Sequence, residues 1–392
     1  MTTEKIDLNL VREEITSIDE QLLNLMAQRR ACSIQVVKSK VQTKKPVRDS
    51  YRETLLLQNL CEKGEAKGLS PDYINRLFRL VIEDSVELQQ EYLLQLDNPS
   101  LKSAEYRVAY LGKKGSYSFA AVEKYLATVN GGLTEYSCTN FDDIFAAVES
   151  NQADIGVIPI ENTSSGSINE VYDLLQTTRL KIIDELYIPV RHNLLVSTDT
   201  DITQIKTIYG HHQPIAQCSD FLQELTDVEI KVLDSTSTAL SQVQALNDSS
   251  VAVLGSAEAG AHYGLTSIKA DVANQKDNQT RFIVVAKEAV SIPFQCSAKT
   301  SLVLSIGHRP GALVDALMIF KKYEINMCKL ESRPIKGRPW EEMFYIDVTA
   351  NVKSEALQNA LSEIKAFTTD FTEIGCYLNR ANLSDSQPQG NL

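Results

Sequence analysis

The chain has 392 residues, with 39 Lys and Arg against 51 Asp and Glu for a net charge of -12. That balance excludes nucleic acid or an anionic membrane as the main partner, and the length predicts two or three domains at about 150 residues each. Seven scattered cysteines (Cys32, Cys61, Cys138, Cys218, Cys296, Cys328, Cys376) with no CxxC pair predict free thiols, and a charged start with no apolar run near the ~18 residues of a membrane span predicts a cytoplasmic protein.

From Leu8 to about Val41, the apolar residues Val11, Ile15, Ile18, Leu22, Leu25, Met26, Ile34 and Val37 recur at three- and four-residue steps without Gly or Pro. This predicts one long amphipathic helix. A second helical run, "YRETLLLQNLCEKGEAKG", ends at Gly68, and a third opens with Ser70 as N-cap and Pro71 at the first position. Residues 1–95 thus form an all-helical domain whose first helix is too long to bury its stripe against the other two, which predicts a homodimer. Between Arg29 and Arg52 stand Arg29, Arg30, Lys38, Lys40, Lys44, Lys45, Arg48 and Arg52 against the single acid Asp49. The cluster reads either as a site for a small anion or as a solvated helix face.

After the linker-like "DNPSLKSAEY", short apolar runs alternate with helical ones over 107–287, as in "RVAYLG", "SFAAVEKYLA", "ADIGVIPI", "INEVYDLLQ" and "RFIVVAK". Alternation of this kind predicts an α/β domain with a mainly parallel sheet, in two lobes with a cleft between them. "PIENTSSGS" (Pro159–Ser167) carries the chain from a strand toward a helix through a carboxylate, an amide, four hydroxyls and a glycine. It reads as a capped polar loop or as a site that holds a polar small molecule without a strong cation. A second linker, "EAVSIPFQCSAK", precedes a βαββαβ order over 299–382, that of a ferredoxin-like unit, and 383–392 reads as a disordered tail. No GxGxxG or GxxxxGK[ST] is present, and His211 and His212 lack ligand partners at useful spacing, so no cofactor and no metal are expected.

Geometry restricts the basic cluster. Arg29 and Lys40, eleven residues apart, return to one helix face about 16 Å along the axis, whereas Arg12 lies about 25 Å from Arg29 and belongs to the same site only if a second subunit supplies it. Ser85 and Gln89 form a polar i, i+4 pair in the third helix, and Asp49, Arg52 and Glu53 stand at the start of the second. Arg12, Arg29, Lys40, "VRDSYRE" and "IEDSVELQQ" together resemble the helical chorismate mutase family, whose fold is an intertwined dimer. The resemblance implies that Arg12 and Arg29 clamp the carboxylates of chorismate, that Lys40 and Gln89 donate to its ether oxygen, and that Asp49, Arg52, Glu53 and Ser85 line the site.

"LGKKGSYSFAA", "IGVIPIENTSSGSINEVYDLL", "STSTA" and "NQTRFIVV" resemble prephenate dehydratase across the second region, with Lys113 standing where the family usually has Pro. The resemblance implies decarboxylation and dehydration of prephenate to phenylpyruvate. Thr280 would act on the leaving hydroxyl in a relay with Glu161 or a water, and Arg281 and Phe282 would hold the side-chain end and wall of the pocket. Glu161, Asn162, Thr163, Ser164 and Ser165 would bind substrate. Ser116, Gln217, Ser235 and Ser237 are weaker candidates, each read equally as a ligand contact or as a cap or turn.

"GALV" (Gly311, Ala312, Leu313, Val314) and "ESRP" (Glu331, Ser332, Arg333, Pro334) resemble the ACT-type domain of bifunctional chorismate mutase/prephenate dehydratases, which implies phenylalanine bound between paired domains as a feedback inhibitor, its ring enclosed around Leu313 and Trp340. The alternative without a ligand is a dimerisation domain. The rival reading of the whole chain is a mutase fused to a non-catalytic, two-lobed solute-binding and sensing module.

Overall fold

The computed structural model describes residues 7–99, 105–129, 131–306, 310–335, 337–338 and 341–380. The chain divides into two compact units: one holds Met1–Leu101 with Ser291–Ser297, the other Lys102–Val290 with Ala298–Ala381. Among the described residues no helix is long and apolar enough to cross a membrane. The expected tail and Trp340 lie outside the described residues.

The first unit is built from α1 (Leu8–Thr43), α2 (Ser50–Glu65) and α3 (Pro71–Asp97). Each start is capped by a side-chain oxygen: Asp7 accepts from the Asn9 amide, Asp49 from Arg52 and Ser70 from Tyr73. Within the unit, Val37 of α1 and Ile74, Ile82, Val86 and Leu93 of α3 are buried, while Val11, Ile15, Ile18, Leu22, Leu25 and Met26 along the N-terminal half of α1 are exposed. The second linker joins this unit rather than running free. Asn98 brackets Ser291, donating to its carbonyl and accepting from its amide, each at 2.8 Å, and the Val47 amide donates to the Gln295 carbonyl at 2.8 Å. Two buried side chains, Ile292 and Cys296, anchor that segment.

The second unit carries three sheets. Its first lobe runs β1 (Glu105–Leu111), α4 (Tyr117–Val129), β2 (Gly132–Cys138), α5 (Phe141–Glu149), β3 (Ile155–Asn162), β4 (Gly166–Ser167), α6 (Asn169–Leu175) and β5 (Lys181–Pro189). The second lobe runs β6 (Asn193–Val196), β7 (Thr207–His211), α7 (His212–Gln217), α8 (Ser219–Glu224), β8 (Glu229–Leu233), α9 (Thr236–Leu246), β9 (Val251–Gly255), α10 (Ala257–His262) and β10 (Thr266–Lys269), before β11 (Gln279–Ala286) returns to the first lobe. The first sheet has the order β2-β1-β3-β11-β5 and the second β10-β6-β9-β7-β8. Both are mixed, not mainly parallel. Strand β11 comes back from the second lobe antiparallel to β3 and β5, and β6 runs antiparallel to both β9 and β10. Apolar alternation fixes which segments are strands but carries no information on direction when one strand belongs to a later return of the chain.

The third sheet is formed by β12 (Ala298–Ile306), α11 (Ala312–Lys322), β13 (Met327–Pro334), β14 (Glu342–Val348), α12 (Glu355–Lys365) and β15 (Thr368–Leu378), all pairs antiparallel in the order β13-β14-β12-β15. This is the expected βαββαβ arrangement. It is not a separate body: Val303, Tyr345, Ile374 and Tyr377 enter the same core as Ile158, Tyr172 and Ile283 of the first lobe. Tyr172 and Tyr345 meet edge to face with ring centroids 4.8 Å apart. Gly375 permits the approach, because a Cβ there would overlap the Ile182 carbonyl oxygen of β5.

Candidate active sites

In the helical unit the expected mutase residues fall into two groups, Arg29 with Ser85 and Gln89, and Lys40 with Asp49, Arg52 and Glu53. One Arg29 nitrogen donates to the Val81 carbonyl at 2.8 Å and to the Ser85 hydroxyl, so α1 and α3 meet at that guanidinium. Gln89 is buried; its Nε2 donates to the Ser85 carbonyl at 2.9 Å, and its Oε1 has no hydrogen-bond partner among the described residues. Lys40 donates to the Val47 carbonyl. Burial, then the charge of Arg52, hold its ammonium below the ordinary lysine range, while Asp49 and Glu53 oppose the shift. Arg48 is paired with Glu83 and lies 3.8 Å from Glu53, and Asp49 serves as the cap of α2. Arg12 is exposed on the same uninterrupted helix as Arg29, seventeen residues away, and does not join them within one chain.

In the α/β unit, "ENTSSGS" forms a hairpin before it reaches the helix: Glu161 pairs with Ser167 and Asn162 with Gly166, which takes a φ of 80°. The Asn162 side chain organises this turn. Its Oδ1 accepts from the amides of Ser164 (2.9 Å) and Ser165 (3.0 Å) and from the Ser165 hydroxyl (3.2 Å). Its Nδ2 faces β11 and donates toward the Thr280 hydroxyl at 3.0 Å, Asn278 Oδ1 at 2.8 Å and the Gln279 carbonyl at 3.1 Å. Thr163 closes the same corner, accepting from the Gln279 amide at 2.9 Å and donating to Asn278 Oδ1 at 3.2 Å.

Beside this corner a cavity of about 310 Å³ opens between Ser164 and Ser165, α7 (Gln213, Ala216, Gln217) and the returning segment Ala273, Asn274, Gln275 and Asn278. All nine lining residues are neutral. Thr280 is buried, and its hydroxyl and Asn278 Oδ1 both accept from the Asn162 amide. Asn278 was legible in principle as the first residue of the "NQTRFIVV" stretch, just ahead of β11. Ser116 and Ser235 are helix caps, accepting from the amides of Phe119 and Thr238, and Ser237 is buried beside Ser235. Burial pushes the Cys218 thiol up to about 12.

Three expected substrate contacts are placed elsewhere. Asn162 and Thr280 are paired across β3 and β11, and so are their chain neighbours Glu161 and Arg281, which point to the opposite face. Glu161 therefore joins no relay with Thr280; it is ion-paired with Lys329 of β13 at 2.9 Å. The Arg281 guanidinium does not close a pocket. It is 6% exposed, donating to Glu185 at 2.9 Å and to the Tyr377 hydroxyl at 2.9 Å, with Asp347 at 2.7 Å. Lys299 completes the charge balance on Glu185 at 2.7 Å. Burial works against the charge on Arg281, and Asp347, Tyr377 and Glu185 outweigh it, keeping the guanidinium firmly protonated. Phe282 is a core residue packed with Val108, Tyr110 and Phe119.

In the third sheet, Gly311 precedes α11 with a φ of 79°, Ala312 is buried and Val314 is exposed. Strand β13 alternates: Ser332 and Pro334 are exposed, while Glu331 and Arg333 turn toward the first lobe. Ser167 donates to Glu331 at 2.6 Å, and Arg333 forms a forked pair with Asp173 at 2.8 and 3.0 Å. Of the four residues of "ESRP", two are thus engaged with the hairpin and helix that follow Asn162 rather than left for a ligand.

The family described as Chorismate mutase type II matches residues 11–90, and Prephenate dehydratase matches 108–290. A bifunctional chorismate mutase/prephenate dehydratase of Enterobacter agglomerans is 47% identical over 369 residues, covering 94% of this chain and 95% of the relative. Two solved structures each give a TM-score of 0.63. One, described as GqqA, a novel type of quorum quenching acylases, is 26% identical and covers 71% of this chain and 99% of its own. The other, a prephenate dehydratase from Arthrobacter aurescens in complex with L-Phe, is 25% identical and covers 72% of this chain and 92% of its own. With both domain families matched in order and a relative aligned almost end to end, the chain belongs to the bifunctional chorismate mutase/prephenate dehydratases and carries both activities on one polypeptide.

Proposed function

We propose that the two reactions occur at the two sites described, with phenylalanine as the controlling ligand. In the mutase, Arg29, Lys40, Ser85 and Gln89 surround chorismate, and Arg12 of the partner subunit completes the clamp. The exposed apolar stripe on α1 supports an intertwined dimer, because a single chain leaves Val11 through Met26 in water. The rearrangement is intramolecular and needs no nucleophile. Negative charge grows on the ether oxygen as the C–O bond breaks, so the cation of Lys40 and the amide of Gln89 stabilise the transition state more than the substrate.

In the dehydratase, the observation that carries the reading is the Asn162–Thr280 pair. With its oxygen accepting from Asn162, the Thr280 hydroxyl has its own proton to donate to the departing hydroxyl. The bond to the ring carboxyl breaks, its electron pair enters the ring as it aromatises, and the hydroxyl leaves as water after taking a proton. Neutral amides and hydroxyls around the cavity suit this reaction, since a strong cation on the departing carboxylate would stabilise the substrate more than the transition state.

Phenylalanine binds at the βαββαβ unit of ACT type, near Gly311–Val314, between paired copies. Support comes from the ligand of the Arthrobacter aurescens structure and from the left-handed Gly311 at the start of α11. Lys329, Glu331 and Arg333 give that unit its handle on the dehydratase, through Glu161, Ser167 and Asp173. The test is a time course from chorismate with and without phenylalanine. The reading expects phenylpyruvate to form and phenylalanine to suppress it; phenylpyruvate formation indifferent to phenylalanine would refute the regulatory part.

A further inference from the structure

Tyr117, in the "GSYS" stretch that opens α4, has no part in the chemistry described so far. Its hydroxyl lies 3.3 Å from Nδ1 of His192 and 3.0 Å from the Arg191 carbonyl oxygen, and the two rings meet edge on. His192 sits in the crossing from β5 to β6 and is 1% exposed. Its other nitrogen, Nε2, is 2.8 Å from Oε1 of Gln217, the last residue of α7 and part of the cavity lining. A chain of three side chains thus runs from the first lobe, through the crossing, to the second lobe and the cavity. The backbones of its middle and last members are tied down: the Val272 amide donates to the His192 carbonyl and the Asn274 amide to the Gln217 carbonyl, each at 2.8 Å.

Hydrogen-bond polarity then follows by elimination. Burial favours the uncharged imidazole of His192, which has a single N–H. An amide oxygen at 2.8 Å can only accept, so the proton is on Nε2 and Nδ1 is a bare acceptor. The one proton of the Tyr117 hydroxyl is shared between the Arg191 carbonyl oxygen at 3.0 Å and Nδ1 at 3.3 Å. With its oxygen held by His192, the Gln217 amide has its two N–H groups for an acceptor in the cavity, whereas a flipped amide would present an oxygen that repels a carboxylate or carbonyl.

We infer that Tyr117 and His192 are positioning residues for the dehydratase, acting through Gln217 to hold its amide N–H toward an acceptor oxygen of the substrate. The inference rests on the cavity being the dehydratase site. Ser164, Ser165 and Asn278 complete a lining of neutral donors, and none of Tyr117, His192 or Gln217 needs to take or give a proton during turnover.

The experiment measures dehydratase kinetics on prephenate for His192→Leu, His192→Gln, Tyr117→Phe and Gln217→Leu in the full chain, with mutase activity on chorismate as the internal control of folding. His192→Leu and Gln217→Leu are each expected to lower dehydratase kcat/KM by about 10- to 100-fold, the scale of one directed hydrogen bond to a charged group, with mutase activity retained. The double variant is expected to be no worse than Gln217→Leu within about twofold, because residues acting as one unit are non-additive. His192→Gln, which keeps an N–H near the Nε2 position, is expected to recover most of the loss, and the Tyr117→Phe defect is expected to vanish in the Gln217→Leu background. Multiplicative losses in the double variants would overturn the inference. Should His192→Leu fail to fold, His192→Gln and Tyr117→Phe decide it: a defect in either that persists at full size without Gln217 contradicts the positioning role. If Gln217→Leu leaves the dehydratase untouched while Thr280→Val abolishes it, the inference fails and the dehydratase reading stands.

Discussion

Lys40 has its ammonium partly withdrawn from water, beside the like charge of Arg52, and both effects disfavour the protonated form. A lysine that must donate to a developing oxyanion loses that capacity once deprotonated. Mutase kcat/KM is therefore expected to be full below the pKa of Lys40 in the folded protein and to fall as pH rises through it, at a pH lower than the ordinary 10.5 of lysine. A rate profile flat through that range would remove Lys40 from the chemistry. The contrast with Arg281 is instructive. "TRF" marks both Thr280 and Arg281 in the sequence, and motif membership alone cannot separate them. Their strand can: neighbours point to opposite faces, so once Thr280 faces Asn162, Arg281 must face Glu185 and Asp347. Asn162 was legible as a polar residue of the site. Its role as the hub that joins the serine turn to Thr280 was not, because that depends on β11 returning beside β3 from more than a hundred residues away.

The three helices, the cap of α3 and most strands follow from local signals: the apolar period of α1, Ser70 with Pro71, and the apolar runs of β3 and β9. Strand β2 escaped because "GLTEYSC" is exposed along most of its length and pairs only with β1, so it carries little apolar signal. Strand direction and the union of the third sheet with the first lobe are non-local and were not readable. Gly375 is where that union is tightest. Replacing it with Ala puts a methyl group into the Ile182 carbonyl, a backbone group that cannot turn aside as a flexible side chain can. Gly375→Ala is expected to destabilise the α/β unit by about 1–3 kcal/mol, the usual cost of overpacking, and to lower its denaturant midpoint while mutase activity is retained. An unchanged midpoint would mean that β5 and β15 do not rely on that contact.

For the whole molecule, α1 poses the strongest constraint. A continuous helix from Leu8 to Thr43 keeps Arg12 and Arg29 about 25 Å apart, a span no side chain bridges. If one mutase site uses both, each site is shared by two chains. Arg12→Ala and Arg29→Ala proteins, each inactive as a mutase, are expected to recover up to a quarter of wild-type mutase activity when unfolded together and refolded, because half of the mixed dimers' sites are intact. No recovery, with mixed dimers demonstrated, would contradict a mutase site shared between the two chains.

That two reactions proceed at separate sites, the second built on the Asn162–Thr280 pair, is tested most directly by giving chorismate to Thr280→Val and following prephenate and phenylpyruvate together. Valine keeps the shape of threonine and removes the hydroxyl that Asn162 holds. The expected result is prephenate accumulating at the wild-type mutase rate with phenylpyruvate formation reduced by at least about 100-fold, as for loss of a positioned proton donor. Phenylpyruvate formed at the wild-type rate would contradict the assignment of Thr280, and loss of both activities together would contradict the separation of the sites.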